Sequence, residues 1–188
     1  MSYDPRKAAQ TIAYFTVKNG RNPLNILKAI KLVYLADRES VNRHGFPIQD
    51  ELHYSMPLGP VNSTTYRHIN GEMPPEDAVG WAEFLTDRNN HRVGLVDQNI
   101  DPNDLDELSE ADVDVLDAIW DQFGKSDRWQ LVDWTHDPRN VPEWRDPNGS
   151  SHPIPLRRMM DALGIENSAD QAQAVQDSRC ASEFLKEL

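Results

Sequence analysis

The 188-residue chain has a single cysteine, Cys180, so neither a disulfide framework nor a thiolate zinc site can form within it. It is short of bases. Lys and Arg number 19 against 31 Asp and Glu, giving a net charge of −12 and a pI near 4.8. Nothing in that balance offsets repulsion from a phosphate backbone, which argues against direct nucleic-acid binding. No apolar run approaches the roughly 18 charge-free residues of a membrane span, and the N-terminal MSYDPRK has no signal-peptide hydrophobic core. A cytoplasmic protein without a membrane partner is expected. Paired metal ligands are lacking too. His44, His53, His68, His91, His136 and His152 are scattered, with no spacing that sets two imidazoles on one helical face. The acidic run from Asp101 to Asp117 lacks the glycine and glutamate positions of a calcium loop. No catalytic residue, metal site or cofactor is assigned from these patterns.

What the chain does have is an unusually apolar helix. Leu24 to Ala36 is hydrophobic almost all round, and the helix is expected from Pro23 to about His44, where Gly45 ends it. Such a helix belongs at the centre of a fold, with Leu27, Ile30, Tyr34 and Leu35 inaccessible. Lys31 sits inside it, and an unpaired buried ammonium is costly, so a carboxylate partner or an escape to water is expected.

Other elements follow from capping and periodicity. Asp4-Pro5 opens a first helix that Asn19-Gly20 closes. His53 to Met56 reads as a short strand, Ser63 to Asn70 as a short helix, and Glu76 to Thr86 as another. His91 to Val96 is the best strand candidate, placed beside His53 to Met56. Ser109 with Asp112 resembles a capping box ahead of Val113, Leu116, Trp120 and Phe123. Ser126 is expected to cap the next helix, and 137–155 to form a proline-rich loop carrying Trp144. Of the clustered tryptophans, Trp129 or Trp134 is expected in the core, while Trp144 anchors a loop or a partner. Pro155 opens a helix over Leu156 to Leu163. Ser168 begins a last one, to about Glu187, whose apolar face of Ala172, Val175, Ala181, Phe184 and Leu188 is thin. The fold class is therefore mainly α: a single helical domain around a central buried helix, with at most a small antiparallel β element.

Lys31-Leu32-Val33-Tyr34-Leu35-Ala36-Asp37-Arg38, then Gly45-Phe46-Pro47-Ile48, then Gly59-Pro60-Val61 and Tyr66, resembles the core signature of the Panacea domain. Its members are the SocA-like antitoxins, formerly grouped with phage-associated proteins. Trp134-Thr135-His136-Asp137 followed by Pro142-Glu143-Trp144 resembles the family's second patch. The resemblance covers roughly residues 5–165, so the chain divides into a Panacea-like domain at 1–165 and a C-terminal helix at 166–188. An acidic, polar insertion around Asp97 to Asp112 departs from the pattern.

The resemblance implies a non-enzymatic antitoxin that neutralises a cognate protein toxin by direct contact, in a toxin–antitoxin system of the kind used in phage defence. Lys31, Tyr34, Asp37, Gly59, Pro60, Val61, Tyr66 and Trp144 are its core-motif residues in this chain. Gly59, Pro60, Val61, Trp144 and Phe184 are the candidates for partner contact. The acidic surface suits a basic toxin, although acidic runs are more often simply solvated. Two other readings stand beside this one: a proteolytic adaptor that delivers a bound partner to a protease, and a hydrolase using His136 and Asp137.

Overall fold

A computed structural model describes residues 3–186. Seven α-helices and two small antiparallel sheets make up the described chain. Helix α1 (Pro5–Lys18) begins where the Asp4 carboxylate accepts hydrogen bonds from the Arg6 and Lys7 amides, and ends at Asn19. Strand β1 (Leu24–Asn25) leads into α2 (Ile26–His44), capped by Asn25 and closed by Gly45 at φ +82°. Every residue of α2 from Ala29 to Asp37 is buried. Helix α1 is buried over an equally long run, Ala8 to Thr16. Leu27, expected inside, is only half-buried, because it lies on the first turn at the edge of the core; Ile30, Tyr34 and Leu35 are buried.

Strands β2 (His53–Met56) and β3 (Gly59–Asn62) form a hairpin beside α2, and β5 (His152–Ile154) pairs with the far edge of β2. Helix α3 (Ser63–Ile69) follows β3 directly. Strand β4 (Arg92–Val93) pairs with β1, not with His53 to Met56 as its sequence suggested. The outer edge of β2 is taken by β5, a strand inside what reads as a proline-rich loop. The helix expected over 76–86 is absent. A short 3₁₀ turn at Pro75–Ala78 gives way to irregular turns, and Gly80 at φ +87° takes the chain out of any helical path.

Helix α4 (Glu110–Phe123) starts with the expected Ser109–Asp112 capping box and packs against both α1 and α2. Helix α5 (Arg128–His136) is capped by Asp127 with Gln130, one residue after the predicted Ser126. Helices α6 (Leu156–Ala162) and α7 (Ser168–Lys186) complete the order. Glu187 and Leu188, expected at the end of α7, lie outside the described residues. Among the described residues no helix is long and apolar enough to cross a membrane.

Four of the eight acids from Asp101 to Asp117 pair with α1. Arg6 pairs with Glu83, Asp106 and Glu107; Lys7 with Asp112; Lys18 with Asp117. Burial would raise the Asp117 carboxyl, but hydrogen bonds from Lys18 and Tyr14 hold it below its ordinary value. Much of the run is therefore internal glue rather than a free anionic face.

Candidate functional site: a clamped hairpin turn

Helix α2 carries polar side chains into the core, and each finds a partner there, as buried polar groups must. The Asp37 carboxylate accepts hydrogen bonds from the Gln49 amide (2.9 Å) and the Asn62 side chain (2.7 Å), with His53 Nε2 at 2.9 Å. One turn away, the Tyr34 hydroxyl (2.8 Å) and Arg38 Nε (2.7 Å) both donate to Glu143, which is fully buried. Burial beside that carboxylate pushes the Tyr34 hydroxyl well above its ordinary value. Glu51 accepts from the Thr64 and Thr65 amides and from the Thr65 hydroxyl; burial nevertheless pushes it up to about 7. Asp37 and Tyr34 therefore stitch the 46–62 segment and the Glu143 loop onto α2.

Lys31 makes neither of the contacts expected of it. Its Nζ is fully buried and donates to the Pro60 carbonyl oxygen at 2.8 Å. Among the described residues no carboxylate pairs with it, and desolvation lowers the ammonium to about 7. A neutral amine can still give this one hydrogen bond, which is why the site tolerates burial.

That bond is one of three on the same turn. The Trp144 indole N–H donates to the Met56 carbonyl at 3.1 Å, and His136 Nε2 lies 3.1 Å from the Pro57 carbonyl. Side chains from α2, from the end of α5 and from the Glu143–Trp144 loop thus grip three carbonyls around the β2–β3 turn. Trp144 and His136 also pack edge to face at 4.2 Å between centroids, a contact worth about 1 kcal/mol beyond its area. Gly59 closes the turn at φ +96°, and a Cβ there would come within 2.7 Å of Lys31 Nζ and 2.8 Å of Thr135 Oγ1. Only glycine has both the conformation and the room. The turn so held carries Leu58, a large apolar side chain that is 47% exposed.

The motif residues thus divide. Lys31, Tyr34, Asp37, Gly59, Pro60 and Val61 are buried, so they shape the hairpin instead of presenting a surface. Tyr66, on α3, is half-buried against the core. Trp144 is half-buried at the rim of the turn, and Phe184, on α7, is 64% exposed. Sequence reasoning missed Leu58 and His136 as parts of this arrangement; the only signal was their nearness to Gly59 and Trp144 in the motif. Asp137 forms an ion pair with Arg139 and not with His136, whose Nδ1 faces the Val132 carbonyl at 2.6 Å. Trp134 packs edge-on to Phe123 at the core boundary, whereas Trp129 is 51% exposed.

The family model for the antitoxin SocA-like, Panacea domain matches residues 30–145, more than half of the chain. The chain belongs to the SocA-like antitoxin family. The matched span opens at the start of the buried run of α2 and closes one residue past Trp144, so it contains all three side chains of the clamp. Every residue of the family's core motif read from the sequence falls inside it. No curated protein and no solved structure matches the chain.

Helix α7 lies outside that span. Among its described residues Ser168 alone is buried. It is held by Ser168 hydrogen-bonded to Asp161, by Ala172 against the core and by an Arg179–Asp50 ion pair. Together with Phe46, Ile48 and Val79 it walls a groove of about 1250 Å³. Among the described residues no group of three or more His, Cys, Asp or Glu side chains converges as a metal cage.

Proposed function

We propose that this member of the family neutralises a cognate protein toxin in the cytoplasm by direct contact, with the β2–β3 turn at the centre of the contact face. The observation that carries the reading is the clamp. Three buried or half-buried side chains hold a turn whose only large outward side chain is Leu58, beside the Trp144 rim. Immobilising an apolar anchor before binding removes ordering entropy from the association, and anchors of this kind carry most of the free energy of an interface. The buried motif residues act one step back from the toxin, as the frame that sets the turn. Phe184 and the thinly attached α7 extend the contact.

Acidic residues left over from the α1 pairing, such as Asp104, Glu110 and Asp114, make the encounter faster for a basic toxin. No catalysis by the chain is needed for neutralisation of this kind. The test is co-expression with the product of the adjacent gene, scored for growth. Wild type rescues growth; Leu58→Glu does not, although its melting temperature stays unchanged because the side chain is already in water. Rescue by Leu58→Glu equal to wild type refutes the turn as the contact. Rescue that disappears in a host lacking its ATP-dependent proteases replaces the occluding mechanism with the adaptor one.

A further inference from the structure

Away from the clamped turn, one cleft reverses the charge of the molecule. It lies where β1 and the start of α2 meet the α4–α5 junction, encloses about 560 Å³, and is lined by Lys28, Arg92, Lys125 and Arg128 against a single carboxylate, Asp127. The chain as a whole carries 31 acids to 19 bases, so four cations to one anion is a local inversion. Asp127 is engaged in capping α5, accepting from the Trp129 and Gln130 amides at 2.7 and 3.0 Å. None of the four cations makes an ion pair among the described residues, whereas Arg6, Lys7, Lys18, Arg38 and Arg179 all do.

The cleft also has an aromatic wall. Trp129 is the one tryptophan more than half exposed, and the Arg128 guanidinium sits 5.4 Å from its ring centroid. Lys28 reaches in from α2, donating to the Gly124 carbonyl at 2.6 Å with its Nζ 5.2 Å from the Trp120 ring. Only one of its three N–H groups is thereby used. An exposed indole on which a flat ring can stack, beside cations that outnumber their one nearby carboxylate, Asp127, and make no close ion pair with it, is the chemistry that recognises a nucleotide. A long polyanion is disfavoured by the net charge of −12, since repulsion accumulates along its length. A single small anion feels mainly the charges within about 8 Å, the screening length at physiological salt.

We infer that the cleft between the start of α2 and the α4–α5 junction is a small-molecule site for a nucleoside phosphate, its base stacked on Trp129 and its phosphates met by Lys28, Arg92, Lys125 and Arg128. This site is separate from the toxin-binding face and stands or falls independently of it.

The probe is ATP without added metal, titrated into the intact protein and followed by tryptophan fluorescence and calorimetry, with inorganic tripolyphosphate, adenosine and a short Glu-rich peptide as comparisons. ATP is expected to saturate one site with quenching of Trp129, at least about tenfold more tightly than tripolyphosphate or adenosine alone. Lys125→Glu/Arg128→Glu, both at exposed positions, should weaken ATP by tenfold or more, and Trp129→Ala should bring ATP down to the level of tripolyphosphate. No saturable ATP binding at millimolar concentration overturns the inference. So does tripolyphosphate binding as tightly as ATP, an ATP site untouched by the double variant, or a preference for the acidic peptide.

Discussion

Lys31 offers the sharpest test of the buried framework. Its amine is lowered from an ordinary 10.5 to about 7 by burial, with no carboxylate paired to it among the described residues. In the unfolded chain the same group titrates near its ordinary value, so between about pH 7 and 10.5 the unfolded state holds more protons than the native one. The Lys31 contribution to stability therefore rises with pH across that window, and it is lost progressively as pH falls from about 10.5 to about 7. Each pH unit of full difference contributes roughly 1.4 kcal/mol, so the step from pH 7.5 to 9.5 is worth about 2–3 kcal/mol. For a chain of this length the urea midpoint should move up by roughly 1 M. Glu51, raised to about 7, gives the opposite slope at lower pH, which is why the window starts above 7. Lys31→Met removes the titration while keeping the volume. It leaves the Pro60 carbonyl unpaired, at a cost of about 1–3 kcal/mol, but its stability should be flat over the same interval. The assay is urea unfolding of both proteins at the two pH values. A wild type whose stability rises no more than the variant's would refute the claim that Lys31 is held near neutrality by burial.

Gly59→Ala should cost about 1–3 kcal/mol, since φ is +96° and the new Cβ meets Lys31 Nζ and Thr135 Oγ1; thermal melts check this, and an unchanged melting temperature would show that the turn can relax. Leu35→Ala, at a fully packed position in α2, should lose about 2–5 kcal/mol in urea unfolding. Deleting residues 169–188 should abolish toxin neutralisation with little change in melting temperature, because α7 buries so little; a large drop instead makes α7 part of the core. The association rate with the toxin should fall clearly between low and physiological salt, and a salt-independent rate measured by stopped flow would leave apolar contact as the whole account.

The helical frame could be read from the chain because its signals are local. Asp4-Pro5, Gly45 and the Ser109–Asp112 pair act within a single turn, and an apolar run such as Leu32 to Ala36 has few places to go but inside. The misreadings share a different cause. Two-residue strands such as β1 and β4 carry almost no period, so their partner is decided by where α1 and α2 leave room. Glu76 to Thr86 has helical apolar spacing, yet the positive φ of Gly80 in its middle breaks the run. Lys31 looked as if it needed a carboxylate because the sequence cannot show that a carbonyl from residue 60 would be offered to it. The site shared that fate. Its motif residues were recognisable, but their burial, and the exposure of Leu58 instead, followed only from how the hairpin lies on α2.

The three side chains that hold the hairpin turn come from positions 31, 136 and 144, while the carbonyls they meet belong to residues 60, 57 and 56. A ribosome must therefore complete most of the domain before all three contacts on the turn can form. The geometry of the turn is in this way made conditional on a nearly finished domain. On the proposal that this turn meets the toxin, a nascent copy that stops short of residue 144 presents it unclamped.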